Sequence, residues 1–280
     1  LLLGMLAVTR TETGSPDSLT PPHEKACAQA LGLPTEDGLV PWAAWAAARA
    51  GIATGATGWA WVTPAHWDIG THQIQMTDPA TLVLPQDMSE SLMQAMAPYF
   101  AHDGITLQFD RAGRWLAYGE ALRTLPTASL DRVIDTDLAP WMPASAPMRR
   151  LQNEMQMLLY THPVNDARSA QGLPTVNSFW ISGSGSLPTG LPMASEPTIA
   201  DALRRPALHR DWAAWSVAWQ QIDQGICQEF AAALARGEPC ELVLCSERHA
   251  LHFTKAKRDW RTRLQRRFKK PSLKDYLPLL

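Results

Sequence analysis

The 280-residue chain has only four cysteines (Cys27, Cys227, Cys240 and Cys245), 4 tyrosines and 6 phenylalanines, and charged residues make up just 19%. The cysteines are too few and too irregularly spaced for a disulfide scaffold. None forms the Cys-x-x-Cys pair of a zinc knuckle or a thioredoxin-type motif. They read as buried thiols of a reducing compartment. Long hydrophobic runs are missing too, none reaching the ~18 residues of a membrane-crossing helix. Glycine (17) and proline (22) recur without a period, which excludes a collagen-like chain. What is plentiful is apolar surface: 46% of residues are hydrophobic, 12 of them tryptophan. That content outweighs the entropy of ordering and excludes disorder as the main state. The length suits one large domain or two small ones.

The opening Leu1-Leu2-Leu3-Gly4-Met5-Leu6 has the apolar look of a signal segment. It lacks a basic start and an Ala-x-Ala exit, and Arg10 and Glu12 follow at once. It reads as part of a first helix within which the chain is cut, and a cytoplasmic location is expected. Charge is unevenly placed: residues 1–247 carry a net −11 and residues 248–280 a net +9. Arg261, Arg263, Arg266, Arg267, Lys269 and Lys270 crowd one stretch. This predicts a basic C-terminal helix docked on the protein's own acidic body. The alternative is a nucleic-acid or membrane-surface contact through 255–270.

Helical and strand patterns are mixed. Pro41 to Arg49 is an alanine-rich helix with proline at its first turn. Trp59 to Thr63 reads as a strand stopped by Pro64. Asp87-Met88-Ser89-Glu90 has the form of a capping box before a helix reaching about Phe100. Ile105, Leu107 and Phe109 alternate, turn at Asp110 to Gly113 and return from Trp115 to Tyr118 as a hairpin. A helix through Met148, Leu151, Met155 and Leu159 is interrupted at His162-Pro163, because proline disfavours helical geometry in the residue before it. Val176 to Ile181 is a strand, and a Pro/Gly/Ser-rich linker spans 183–197. Trp212, Trp215, Trp219, Ile222, Ile226, Phe230 and Leu234 form one long helical stripe read as core. Cys240 to Cys245 is a strand with which Ala250 to Phe253 can pair. The expectation is an α+β fold: a mixed, largely antiparallel sheet flanked by helices, with the basic C-terminal helix. Residues 1–182 form the body, and 198–280 pack on it rather than standing as an independent domain.

The densest polar cluster lies between Thr161 and Gly185. Pro163 presets a helical turn, so that Asn165 and Arg168, three apart, share a face. Asn177 and Ser178 sit on a strand ending in Ser182-Gly183-Ser184-Gly185, where exposed amides can hold an anion. Arg168 offers a planar fork for phosphate or carboxylate. In the blander reading, Asn165 and Asn177 cap turns while Arg168 pairs with Asp166 or Glu154. Asp131-Arg132 is a second grip for phosphate, weighed against a surface ion pair. The candidate ligand-binding set is thus His162, Asn165, Arg168, Asn177, Ser182, Ser184, Asp131 and Arg132. No catalytic residue is assigned, and neither a metal nor a cofactor is expected.

The segment His162-Pro163-Val164-Asn165, Arg168, Gly172, Asn177 and Gly183-Ser184-Gly185 resembles part of the archaeal-type, cofactor-independent phosphoglycerate mutases, relatives of the alkaline phosphatases. Most of the chain also resembles the RpfE-type regulatory proteins, often described as phosphoglycerate mutase-like. Pro21-Pro22-His23-Glu24, Asp37-Gly38 before Pro41-Trp42, Thr63-Pro64-Ala65-His66-Trp67, Ser129-Leu130-Asp131-Arg132 and Leu151 to Met157 carry that second resemblance. The mutase resemblance implies two divalent metals and a Ser or Thr phosphoryl acceptor. The chain departs from it: Asp37-Gly38 and Asp103-Gly104 lack a following ligand, and Ser182 stands where those mutases carry arginine. Together the resemblances imply a non-catalytic protein that binds a small phosphorylated or carboxylated metabolite, or a partner protein, in regulation. The alternatives are an active metal-dependent mutase or phosphotransferase, and a nucleic-acid-associated regulator.

Overall fold

The computed structural model describes residues 6–71, 73–191, 196–255 and 276. In chain order the elements are β1 (Leu6–Thr13), α1 (Pro22–Ala30), α2 (Trp42–Arg49), β2 (Trp59–Ala65), β3 (Trp67–Ile69) and β4 (Ile74–Met76). Then come α3 (Gln86–His102), β5 (Thr106–Arg111), β6 (Arg114–Tyr118), α4 (Leu130–Val133), α5 (Ala146–Tyr160), α6 (Pro163–Ala170) and β7 (Ser178–Gly185). Last are α7 (Arg204–Leu208), α8 (Trp212–Gln224), α9 (Ile226–Arg236), β8 (Glu241–Cys245) and β9 (His249–Lys255). The fold is α+β, and every strand pair among the described residues is antiparallel. No described helix is long and apolar enough to cross a membrane. The basic stretch 256–275, and with it the expected C-terminal helix, lies outside the described residues.

The chain divides into two units: 18–21 with 28–195, and 1–17 with 22–27 and 196–280. This differs from a body of 1–182, because β1 pairs with β9 and so belongs with the C-terminal part. Of the opening Leu1–Leu6, read as part of a helix, residues 1–5 lie outside the described residues, and Leu6 begins a strand, Leu6–Thr13.

The larger unit is built on a sheet of order β5-β6-β2-β7. Alternation sends Ala60, Val62, Trp115, Ala117, Phe179 and Ile181 to one face. There they pack with Leu92, Met96 and Phe100 of α3 and Leu151, Met155 and Leu159 of α5. Each large apolar side chain removed from water contributes about 1.5–3 kcal/mol. On the other face Trp59 and Leu116 meet Ala43, Ala44 and Ala47, whose small side chains let α2 lie close. Pro64 does not stop β2. The β6 partner reaches only to Val62, so the missing N–H falls where no ladder bond is required. Asp87 does not cap α3: the helix begins at Gln86 after Pro85, and Asp87 lies in its first turn.

The smaller unit has a sheet of order β1-β9-β8. Leu6, Leu251, Phe253, Leu242 and Leu244 pack with Phe230 and Leu234 of α9. The single long helix read from the tryptophan stripe is two, broken at Gly225. Only part of the stripe is core: Ile222 and Leu234 are buried, whereas Trp212 is 63% and Trp219 39% exposed. Trp212, Trp215 and Trp219 instead stack edge-to-face, with centroids 6.2 and 5.7 Å apart. The four cysteines are free and half-buried rather than fully buried. Burial, with smaller contributions from Cys27 and Glu12, pushes the Cys245 thiol up to about 12.

Candidate functional site

The predicted break between α5 and α6 organises the region. Proline at 163 holds His162 extended (φ −80°, ψ 132°), and His162 Nδ1 accepts the Val164 N–H at 3.2 Å, capping α6. Burial holds the imidazole below its ordinary pKa, with Asp166 pulling partly the other way. Asn165 and Arg168 then share the buried face of α6, as their spacing predicts.

Asn165 is fully used by backbone. Its amide donates to the carbonyls of Leu159 (2.8 Å) and Val176 (2.7 Å), and its oxygen accepts the Val176 N–H at 2.8 Å. Asn177 does the same one residue on, clasping Trp67 through N–H and carbonyl at 2.7 and 2.9 Å. Both carboxamides hold the start of β7 in place. They flank one residue, Val176, and bind different segments.

Arg168 is 0% exposed. Its Nε donates to the Pro174 carbonyl at 2.7 Å and Nη2 to the Leu82 carbonyl at 2.6 Å. Nη1 has no partner. Neither Asp166 nor Glu154 pairs with it, and no described carboxylate lies within ion-pair distance. Burial pulls its pKa below the ordinary arginine value, and a guanidinium remains charged even so.

The remaining candidates lie apart. Ser184 is buried, its hydroxyl 2.8 Å from Thr127 Oγ1 and within reach of the Gly38 and Leu125 carbonyls. It stands six residues beyond Ser178, roughly 20 Å along the strand, so its amides do not share a small ligand with the start of β7. Ser182 is buried on the face of β7 that carries Ser178 and Trp180. Asp131 and Arg132 sit on α4, capped by Ser129. Arg132 is buried with its guanidinium over the Trp141 ring at 5.7 Å.

No family model matches the chain, and no curated protein does. Among solved structures it is similar to the cofactor-independent phosphoglycerate mutase from Thermoplasma acidophilum DSM 1728. The identity is 10% and the TM-score 0.39, over 91% of this chain and 81% of that one. It is also similar to the PH0037 protein from Pyrococcus horikoshii, at 14% identity and TM-score 0.35, over 67% of this chain and 43% of that one. At these scores neither likeness assigns an activity or a residue role.

Two clusters escaped the sequence reading. Asp37 accepts from Ser18 Oγ at 2.5 Å and from the Leu19 and Thr20 amides at 3.0 and 2.9 Å, tying down the turn before α1. On the smaller sheet the buried His252 ring lies between Glu241 (2.8 Å from Nδ1) and Glu12 (3.2 Å from Nε2). Arg10 Nη2 is 3.0 Å from Nε2, so one side chain links β1, β9 and β8. Both clusters join residues too distant in sequence for spacing to reveal them. Among the described residues, no three of His, Cys, Asp or Glu gather as a metal-ligand set.

Proposed function

We propose that the chain is a phosphoglycerate mutase-like protein, of the kind its sequence resembles in the RpfE-type family, that binds a small phosphorylated or carboxylated ligand without turning it over and acts in regulation. One observation carries this reading: Arg168 is a wholly buried cation served only by neutral carbonyls, with Nη1 left over. Burying a charge without a countercharge is costly. An anionic oxygen meeting Nη1 would supply both the missing hydrogen bond and the missing charge. The carboxamides of Asn165 and Asn177 then act one step removed, by fixing the backbone around the guanidinium.

The test is thermal unfolding of the full chain against inorganic phosphate and a panel of phosphorylated and carboxylated metabolites. A saturable rise in Tm is expected for the wild type and none for Arg168→Met, which keeps bulk but not charge. Arg168→Lys, a point charge without the fork, should respond weakly. Equal responses in all three proteins would remove Arg168 from the reading.

A further inference from the structure

We infer that the face of the β2–β7 pair turned away from the main core holds a second binding site, for a small uncharged, hydroxyl-rich molecule of the sugar or polyol class. Thr63 Oγ1, Ser178 Oγ and Trp67 Nε1 have no hydrogen-bond partner. Their residues are 3%, 1% and 3% exposed. Strand register gathers them around Trp180. Thr63 lies directly opposite Trp180, and Ser178, two residues before Trp180 on β7, shares its face. The Trp67 ring packs against Trp180 with centroids 6.3 Å apart. Trp180 itself is satisfied, its Nε1–H donating to the Ala128 carbonyl at 2.9 Å. The alternate residues Val62, Phe179 and Ile181 face the apolar core. The polar patch is therefore a property of one face, and it involves no contact of Arg168.

The chemistry of the three groups selects the ligand. An indole N–H only donates, whereas each hydroxyl both donates and accepts. None carries a charge, so an ion buried here would find no countercharge among them. A molecule with several hydroxyls can accept from the indole and exchange hydrogen bonds with both side chains. Its C–H surface suits a site walled by Trp67 and Trp180. Ordered water satisfies the same groups without any ligand, and the experiment must separate the two.

Thermal unfolding and calorimetric titration of the full chain with glucose, ribose and mannitol at millimolar concentration, and with inorganic phosphate as the charged arm, make that separation. At least one sugar should raise the wild-type Tm saturably. Thr63→Val, which replaces the hydroxyl with a methyl of similar size, should abolish the effect, and Ser178→Ala should weaken affinity about tenfold. Without sugar, Thr63→Val should unfold at the same temperature as wild type or higher, since it removes an unpaired buried group. Sugar responses that are absent, or equal in wild type and variants, overturn the site. So does a Thr63→Val protein that is less stable than wild type without sugar, which assigns the hydroxyl to internal water. Phosphate competing with sugar overturns the uncharged class. If Thr63→Val does not fold, Ser178→Ala decides alone.

Discussion

Asn165 and Val176 exchange two hydrogen bonds, N–H to Oδ1 at 2.8 Å and Nδ2–H to carbonyl at 2.7 Å. A helix side chain thus acts as a strand edge for the residue entering β7. Asn165→Leu keeps the bulk but strands the Val176 N–H and carbonyl, each unpaired group costing about 1–3 kcal/mol, while the Leu159 carbonyl keeps the His162 N–H at 3.2 Å. A fall in urea midpoint at unchanged m-value is expected. Arg168→Met responses should be compared with this variant, which disturbs the same backbone without touching the charge.

Acid should weaken the protein through Asp37. Burial raises its pKa, but the hydrogen bonds from Ser18, Thr20 and Leu19 together outweigh burial and hold it below the ordinary carboxylate value. A folded pKa below the unfolded one gives stability that is complete above the unfolded value, about 4, and lost as pH falls through the folded one. Tm measured from about pH 6 to pH 3 should fall more steeply for wild type than for Asp37→Asn.

A second, higher pH window belongs to His162. Its folded pKa is lowered by burial, partly offset by Asp166. The unfolded chain therefore takes up the proton first, and stability declines as pH drops below about 6.5 towards the folded value. His162→Asn retains a capping acceptor without the titration. Between about pH 7.5 and 5.5 it should lose less Tm than wild type. Equal slopes would show that the ring nitrogen does not need its lone pair for the cap.

Two glycines should respond very differently to alanine. A Cβ at Gly58 would lie 2.1 Å from the Arg123 nitrogen, a backbone atom that cannot yield. Gly58→Ala is expected to cost at least about 3 kcal/mol in denaturant unfolding, if the protein folds. At Gly104 nothing lies within 4 Å, and only the backbone (φ +71°) objects. Gly104→Ala should cost about 1–2 kcal/mol.

What was legible in the sequence was local. The hairpin of β5 and β6 rests on alternation around a tight turn, and the break at His162-Pro163 on one proline. The helical sharing of a face by Asn165 and Arg168 follows from their spacing alone. What Arg168 would touch does not: one of its acceptors, Leu82, is 86 residues away. The spacing of the tryptophan stripe predicts core, yet Trp212 and Trp219 are exposed. Periodicity reports that a face is apolar, though, and not that anything covers it. Pro64 misled because its cost depends on how far a neighbouring strand extends.

The hydrogen bond that the Thr9 hydroxyl donates to the His252 carbonyl, at the bulge where β1 meets β9, spans 243 residues. During synthesis β1 emerges ahead of 28–195, yet its neighbour β9 leaves the ribosome only after the whole of that stretch has been made. The larger unit can therefore collapse and settle while the leading strand is still a solitary edge, open to wrong partners. The order of manufacture makes the smaller unit the late and vulnerable one, and a nascent chain arrested before Cys245 should expose it.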